Sequence, residues 1–198
     1  TARWLHERTD VATLTASDVG GRTPMHLACG EGAMSAAQFL REAGAPMDAL
    51  DSSGSSSLHF ACAAGDLACA VWLLAQGADA ALSNRDGNMP LHHAAQAGEA
   101  AIVARSLEAG APAGVRNADG DTPILLSCFG GHLNVAKLLS ARGESLGGIN
   151  EFGCSSLAQA CAGGHLELAQ WLLPLAGERL LNLADGEGRT PLQYACEQ

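Results

Sequence analysis

The sequence predicts a helical repeat array, and three observations carry that reading. Thr23-Pro24-Met25-His26 is echoed by Ser56-Ser57-Leu58-His59, Met89-Pro90-Leu91-His92, Thr122-Pro123-Ile124-Leu125 and Ser155-Ser156-Leu157-Ala158, each 33 residues after the last; Thr190-Pro191-Leu192-Gln193 follows 35 residues on. Glycines keep the same beat at Gly21, Gly54, Gly87, Gly120, Gly153 and Gly188, and again at Gly32, Gly65, Gly98, Gly131 and Gly164. Only 4% of residues are aromatic while alanine and the 24 glycines are abundant, so the core is expected to be built from thin helices packed through small and aliphatic side chains.

Each unit is readable in chain order. A Thr or Ser caps a helix whose first residue is often proline, where the missing N–H costs nothing, and a short inner helix begins. The glycine of the second series, such as Gly32, fits the left-handed position that ends it. "AMSAAQFLREAG" then supplies a second helix stopped by Gly44, and Gly77, Gly110 and Gly143 stop the later copies. "APMDALDSSGS", rich in Asp, Ser and Gly, has the turn chemistry of a hairpin loop. Met89 departs from the Thr/Ser cap, an expected loss of ~1 kcal/mol that would make the third unit the softest.

A 33-residue helix–turn–helix plus hairpin with this start resembles the ankyrin repeat. "GADAALSNRDG" and "GGHLELAQWLL" are similar to that family's hairpin and outer-helix sequences, and the resemblance covers almost the whole chain. It implies an all-α solenoid of helix–turn–helix units joined by hairpin loops, with inner helices lining a concave groove, outer helices on the convex back and hairpin fingers beside the groove. The expected division of this single domain, 1–198, is a partial preceding repeat at 1–20, five full repeats at 21–53, 54–86, 87–119, 120–152 and 153–187, and a partial repeat at 188–198. Trp4 and Leu5 correspond to Trp171 and Leu172, and the distance from Trp4 to Gly21 equals that from Trp171 to Gly188. A fragment of a longer array or larger protein is therefore expected, since solenoids need polar caps.

Charge and hydropathy exclude some functions. Eleven Lys+Arg against 21 Asp+Glu give a formal charge of -10, which repels a phosphate backbone, so nucleic acid is not the expected partner. No apolar run approaches the ~20 residues of a membrane span, so this segment is expected to make no membrane contact. "TARWLHERTD" lacks the apolar centre of a signal peptide.

The cysteines and histidines read as architecture. Cys29, Cys62, Cys128, Cys161 and Cys196 share one repeat position that Ala95 fills in the remaining copy. Neighbouring helices lie about 8–10 Å apart, too far for successive members to share a disulfide or a zinc ion. Cys69 and Cys154 fall outside this column; Cys154 follows a hairpin glycine and is the expected oxidisable thiol. Seven cysteines without a framework fit a reducing compartment, cytoplasm or nucleus. His26, His59 and His92 recur one per unit, where the ankyrin resemblance implies a structural hydrogen-bonding role, and His132 and His165 begin outer helices. No zincin, nucleophile-elbow, dinucleotide or P-loop pattern occurs, so no enzyme activity, metal or cofactor is expected.

With the framework set aside, the ends of the inner helices and the hairpins carry the variable chemistry. The floor reads Gly30-Glu31, Ala63-Ala64, Gln96-Ala97, Phe129-Gly130 and Ala162-Gly163, smooth but for one large aromatic. Phe129, Ile149 and Phe152 are the expected apolar anchor site, flanked by Arg116, Asp119, Asp121 and Glu151, with Arg85 and Gln96 as further contacts. The pattern leaves open that both phenylalanines instead fold back between repeats as packing. On the outer helices Phe39, Trp72, Leu138, Trp171, Trp4 and Arg105 share a position, with Arg105 placed to lie over Trp72 or to reach into water. The expected function is non-catalytic: a monomer holding a peptide or protein surface in its groove. The alternative is a structural or regulatory domain packing against another domain of its own longer chain.

Overall fold

Five consecutive helix pairs repeat through the computed structural model, which describes residues 11–197. After α1 (Val11–Thr15) come the inner and outer helices of each pair: α2 (Pro24–Gly30) with α3 (Met34–Glu42), α4 (Ser57–Ala64) with α5 (Leu67–Ala75), and α6 (Pro90–Gln96) with α7 (Ala100–Glu108). Then follow α8 (Pro123–Phe129) with α9 (Leu133–Ala141), α10 (Ser156–Ala162) with α11 (Leu166–Leu181), and last α12 (Pro191–Cys196). Each inner helix packs on the inner helix before and after it, and α3, α5, α7 and α9 pack in their own row. The readings for Trp4, Leu5 and the rest of residues 1–10 lie outside the described residues.

The period explains the core. Met25, Leu58, Leu91, Ile124 and Leu157, the third residue of each start motif, are all buried, as are Leu40, Leu73, Leu139 and Leu172 on the outer helices. Cys29, Cys62, Ala95 and Cys128 are buried between them and let the inner helices approach closely. Phe39, Trp72, Leu138 and Trp171 pack half-buried against this core.

Imidazoles staple the repeats. His26 Nδ1 accepts from Thr23 N–H (3.0 Å) while Nε2–H donates to Ser55 O (3.1 Å) in the next hairpin. His59 makes the same pair with Ser56 N–H and Asn88 O, and His92 with Met89 N–H and Val115 O. The caps thus run through the histidine as well as the hydroxyl, which explains why Met89 still starts a helix. Met89 is itself buried, so apolar burial offsets the lost hydroxyl there.

The hairpin fingers have their own ladder. Asn117 Oδ1 accepts from Asp119 N–H (3.1 Å) and Asp121 N–H (2.8 Å), closing the turn, and Asp51, Asn84, Asn150 and Asp185 do the same. One backbone bond joins each finger to the next, as from Glu151 N–H to Asp119 O (2.9 Å) and from Gly186 N–H to Phe152 O (2.8 Å).

Cys69, outside the cysteine column in sequence, meets the Cys29 thiol of the repeat before. Cys154 is only half-buried and Cys196 is the exposed thiol. Of the two courses open to Arg105 it takes the one into water, 59% exposed and turned along its own helix to Glu108 (3.0 Å). The longer fifth unit is absorbed in α11, which contains Pro174 and breaks at Gly177 (φ 65, ψ 170), a conformation essentially restricted to glycine.

Candidate functional site

Inner helices and fingers together enclose a pocket of about 320 Å³. Gln96 of α6, Leu126 and Phe129 of α8 and Gln159 of α10 form one side; Asn88, Asn117, Asp119, Asp121, Asn150 and Phe152, from the fingers, form the other. Phe129 is the last residue of α8, and its carbonyl accepts from His165 Nε2–H at 2.9 Å, which holds the helix end in place. Phe152 sits on a finger whose turn is closed by Asn150 Oδ1, which accepts Phe152 N–H at 3.1 Å. Both rings remain in the open, 52% and 59% exposed, so they are not packed between repeats.

The floor is polar. Asn117 Nδ2–H donates to Asn88 Oδ1 and Asn150 Nδ2–H to Asp121 Oδ1, each at 2.9 Å. Because each asparagine's own oxygen is occupied by turn N–H groups, its amide can only donate onward, which fixes its orientation. Asp121 is only 9% exposed. Burial pushes its carboxyl above the usual carboxylate range, the Asn150 amide works against this, and the neighbouring Asp119 charge adds to the rise. Among the described residues neither Asp119 nor Asp121 forms an ion pair.

The sequence-predicted residues do not all converge. Gln96, Phe129, Phe152, Asp119 and Asp121 line this pocket. Ile149 does not: it is exposed, its backbone pairs with Ser155 across the finger, and it lies outside the pocket lining. Arg116 Nη2 lies 3.5 Å from Glu151 Oε1, outside the pocket lining, and Arg85 is exposed on an earlier finger. Asn88, read from sequence as a variable hairpin position, also lines it, whereas Asn117, Asn150, Leu126 and Gln159 were not singled out. A signal existed for the asparagines: Asp51, Asn84, Asn117, Asn150 and Asp185 each precede a hairpin glycine by three residues.

Burial holds the stacked histidines and thiols in their uncharged forms. Burial lowers the His26 pKa and takes His59 and His92 down to about 4, and both nitrogens of each ring are occupied. Burial also raises the thiols of Cys29, Cys62 and Cys128 to about 12. Among the described residues no group of three His, Cys, Asp or Glu is placed to hold a metal ion, and no helix is long and apolar enough to cross a membrane.

A family model described as ankyrin repeats matches the chain in three overlapping copies, at residues 1–84, 58–150 and 91–179. No curated protein matches the chain. Ankyrin repeats in general are protein–protein interaction modules, and the family is generally non-catalytic.

Proposed function

The chain belongs to the ankyrin-repeat family, and from that premise we propose that it is a non-catalytic module that grips a peptide or protein surface between its inner helices and hairpin fingers. The observation that carries this is the pocket holding Phe129 and Phe152, two exposed aromatics set over a floor of fixed amides. Exposed aromatics in a recess are where binding energy concentrates. Rigid presentation supplies the mechanism: helix ends and finger turns are both hydrogen-bonded before a partner arrives, so little ordering entropy is lost on binding. The seven free cysteines support placing the protein in cytoplasm or nucleus, and we take the working unit to be a monomer.

The test starts with proteins captured from cell extract by the wild-type chain, which are then purified and titrated against wild type and Phe129→Ala/Phe152→Ala. A direct partner whose affinity falls at least about tenfold in the double variant is expected. Unchanged affinity moves the site off these residues. A second reading, packing against another domain of a longer chain, draws on Leu166 and Leu192, which are 70% and 71% exposed. Loss of partner binding when flanking sequence is added back would favour it.

A further inference from the structure

We infer that the pocket holding Phe129 and Phe152 receives a basic side chain, arginine or lysine, from the partner protein. This deepens the groove-binding reading above and rests on it. Charge decides the occupant. Asp121 is nine-tenths buried at the pocket wall, with the Asn150 amide on Oδ1 and no ion pair, and Asp119 lines the same space without one. The arginine of their own finger does not fill the space: Arg116 Nη2 lies 3.5 Å from Glu151 Oε1, outside the pocket lining, and reaches Asp121 only through its charge, without an ion pair. The pocket therefore carries two carboxylates without a bound cation.

An aliphatic or aromatic anchor would strip water from the exposed Asp119 carboxylate and seal what is left open of Asp121 while offering neither a partner, an unfavourable exchange. A basic side chain meets each surface with matching chemistry. Its methylene stem covers Leu126 and the phenylalanine rings, its charge is attracted to the ring faces, and its N–H groups donate to Asp119 and Asp121. The size agrees, since about 320 Å³ accommodates one side chain rather than a large ligand. The formal charge of -10 over the whole chain would draw a basic segment toward this surface at low salt.

Random peptides displayed on phage and selected on the 198-residue chain supply the probe, with affinities measured by fluorescence anisotropy. Asp119→Asn/Asp121→Asn removes the charge while sparing the fold: Asn88 occupies the Asp121 position one repeat earlier and accepts the same bond from Asn117. Unchanged thermal melting verifies this. Selected peptides should contain one basic residue whose exchange for an uncharged isostere, norleucine for lysine or citrulline for arginine, weakens binding at least about tenfold. That exchange should cause little further loss in the Asp119→Asn/Asp121→Asn protein. Peptides that are lost in Phe129→Ala/Phe152→Ala but bind the asparagine variant normally, or that lack such a basic residue, would overturn the cation pocket and leave the groove standing. A selection yielding no peptide sensitive to Phe129→Ala/Phe152→Ala would overturn both.

Discussion

His132 and His165 show how single residues organise this protein. Each ring donates Nε2–H to the last carbonyls of the preceding repeat's inner helix, at Gln96 and Phe129, both at 2.9 Å. A Cβ on Gly131 would lie 2.5 Å from His165 Nδ1, and one on Gly130 2.5 Å from His132 Nε2. The Gly-Gly-His runs at 130–132 and 163–165 thus leave room for the imidazole that holds the aromatic-bearing helix end. His59 contributes to the acid behaviour, because burial holds its folded pKa at about 4, below the ordinary 6.5 of a free imidazole. Above pH 6.5 the ring is neutral in both folded and unfolded chain, so its hydrogen bonds contribute in full. As pH falls from 6.5 toward 4 the unfolded chain binds the proton first, and stability is lost. His59→Gln should make this limb shallower, leaving the share of His92, since Gln193 already caps Thr190 N–H at 2.8 Å in the equivalent position. In urea unfolding between pH 7.5 and 4.5, the wild type should lose on the order of 2 kcal/mol more than the variant. Equal losses would show that His59 is not the group responsible.

At the scale of the element, the fourth unit is stapled differently from the first three. Leu125 replaces the histidine, and Glu144, where other repeats have Ala45, Ala78 and Ala111, swings a carboxylate into the gap. Its Oε1 accepts from Ile124 N–H at 3.0 Å near the start of α8, while Oε2 is buried without a hydrogen bond. Burial raises the carboxyl to about 7, with the Thr122 hydroxyl and the Ile124 N–H opposing the rise. Here the sign reverses: the folded state holds the proton more tightly than the unfolded one. Stability from this group is complete below pH 4.5 and is lost as pH rises through 7. Glu144→Gln keeps an oxygen for Ile124 N–H and removes the charge. It should be more stable than wild type at pH 8 by on the order of 2 kcal/mol, and indistinguishable from it at pH 4.5. A constant difference across that range would place the effect in packing rather than ionisation. The helix boundaries, caps and the 33-residue unit were legible in the sequence. The Glu144 staple was not, because a carboxylate after Gly143 looks like an ordinary loop residue until the fold places it beside an uncapped helix.

The whole molecule is a line of units, each in contact mainly with its neighbours, so stability should vary along it. α4 is flanked by α2 and α6, whereas α12 packs chiefly on α10 and buries only Pro191 among its own residues. Amide exchange followed by mass spectrometry should therefore find α12 at least about tenfold less protected than α4. Equal protection would mean that the array opens as one cooperative body.

The sequence by itself determined the fold, because the period recurs in caps, glycines and buried leucines at once, and only one architecture satisfies all three in every copy. It also pointed to Phe129 and Phe152 by subtracting the framework. What it could not determine was which variable residues share a space. Ile149 and Phe152 lie three apart in one finger yet only Phe152 reaches the pocket, while Gln96, Phe129 and Gln159 arrive there from three different repeats. That selection depends on the register of one finger against the next and on the stacking of helices between repeats. Both are relations between distant parts of the chain, and no local pattern encodes them.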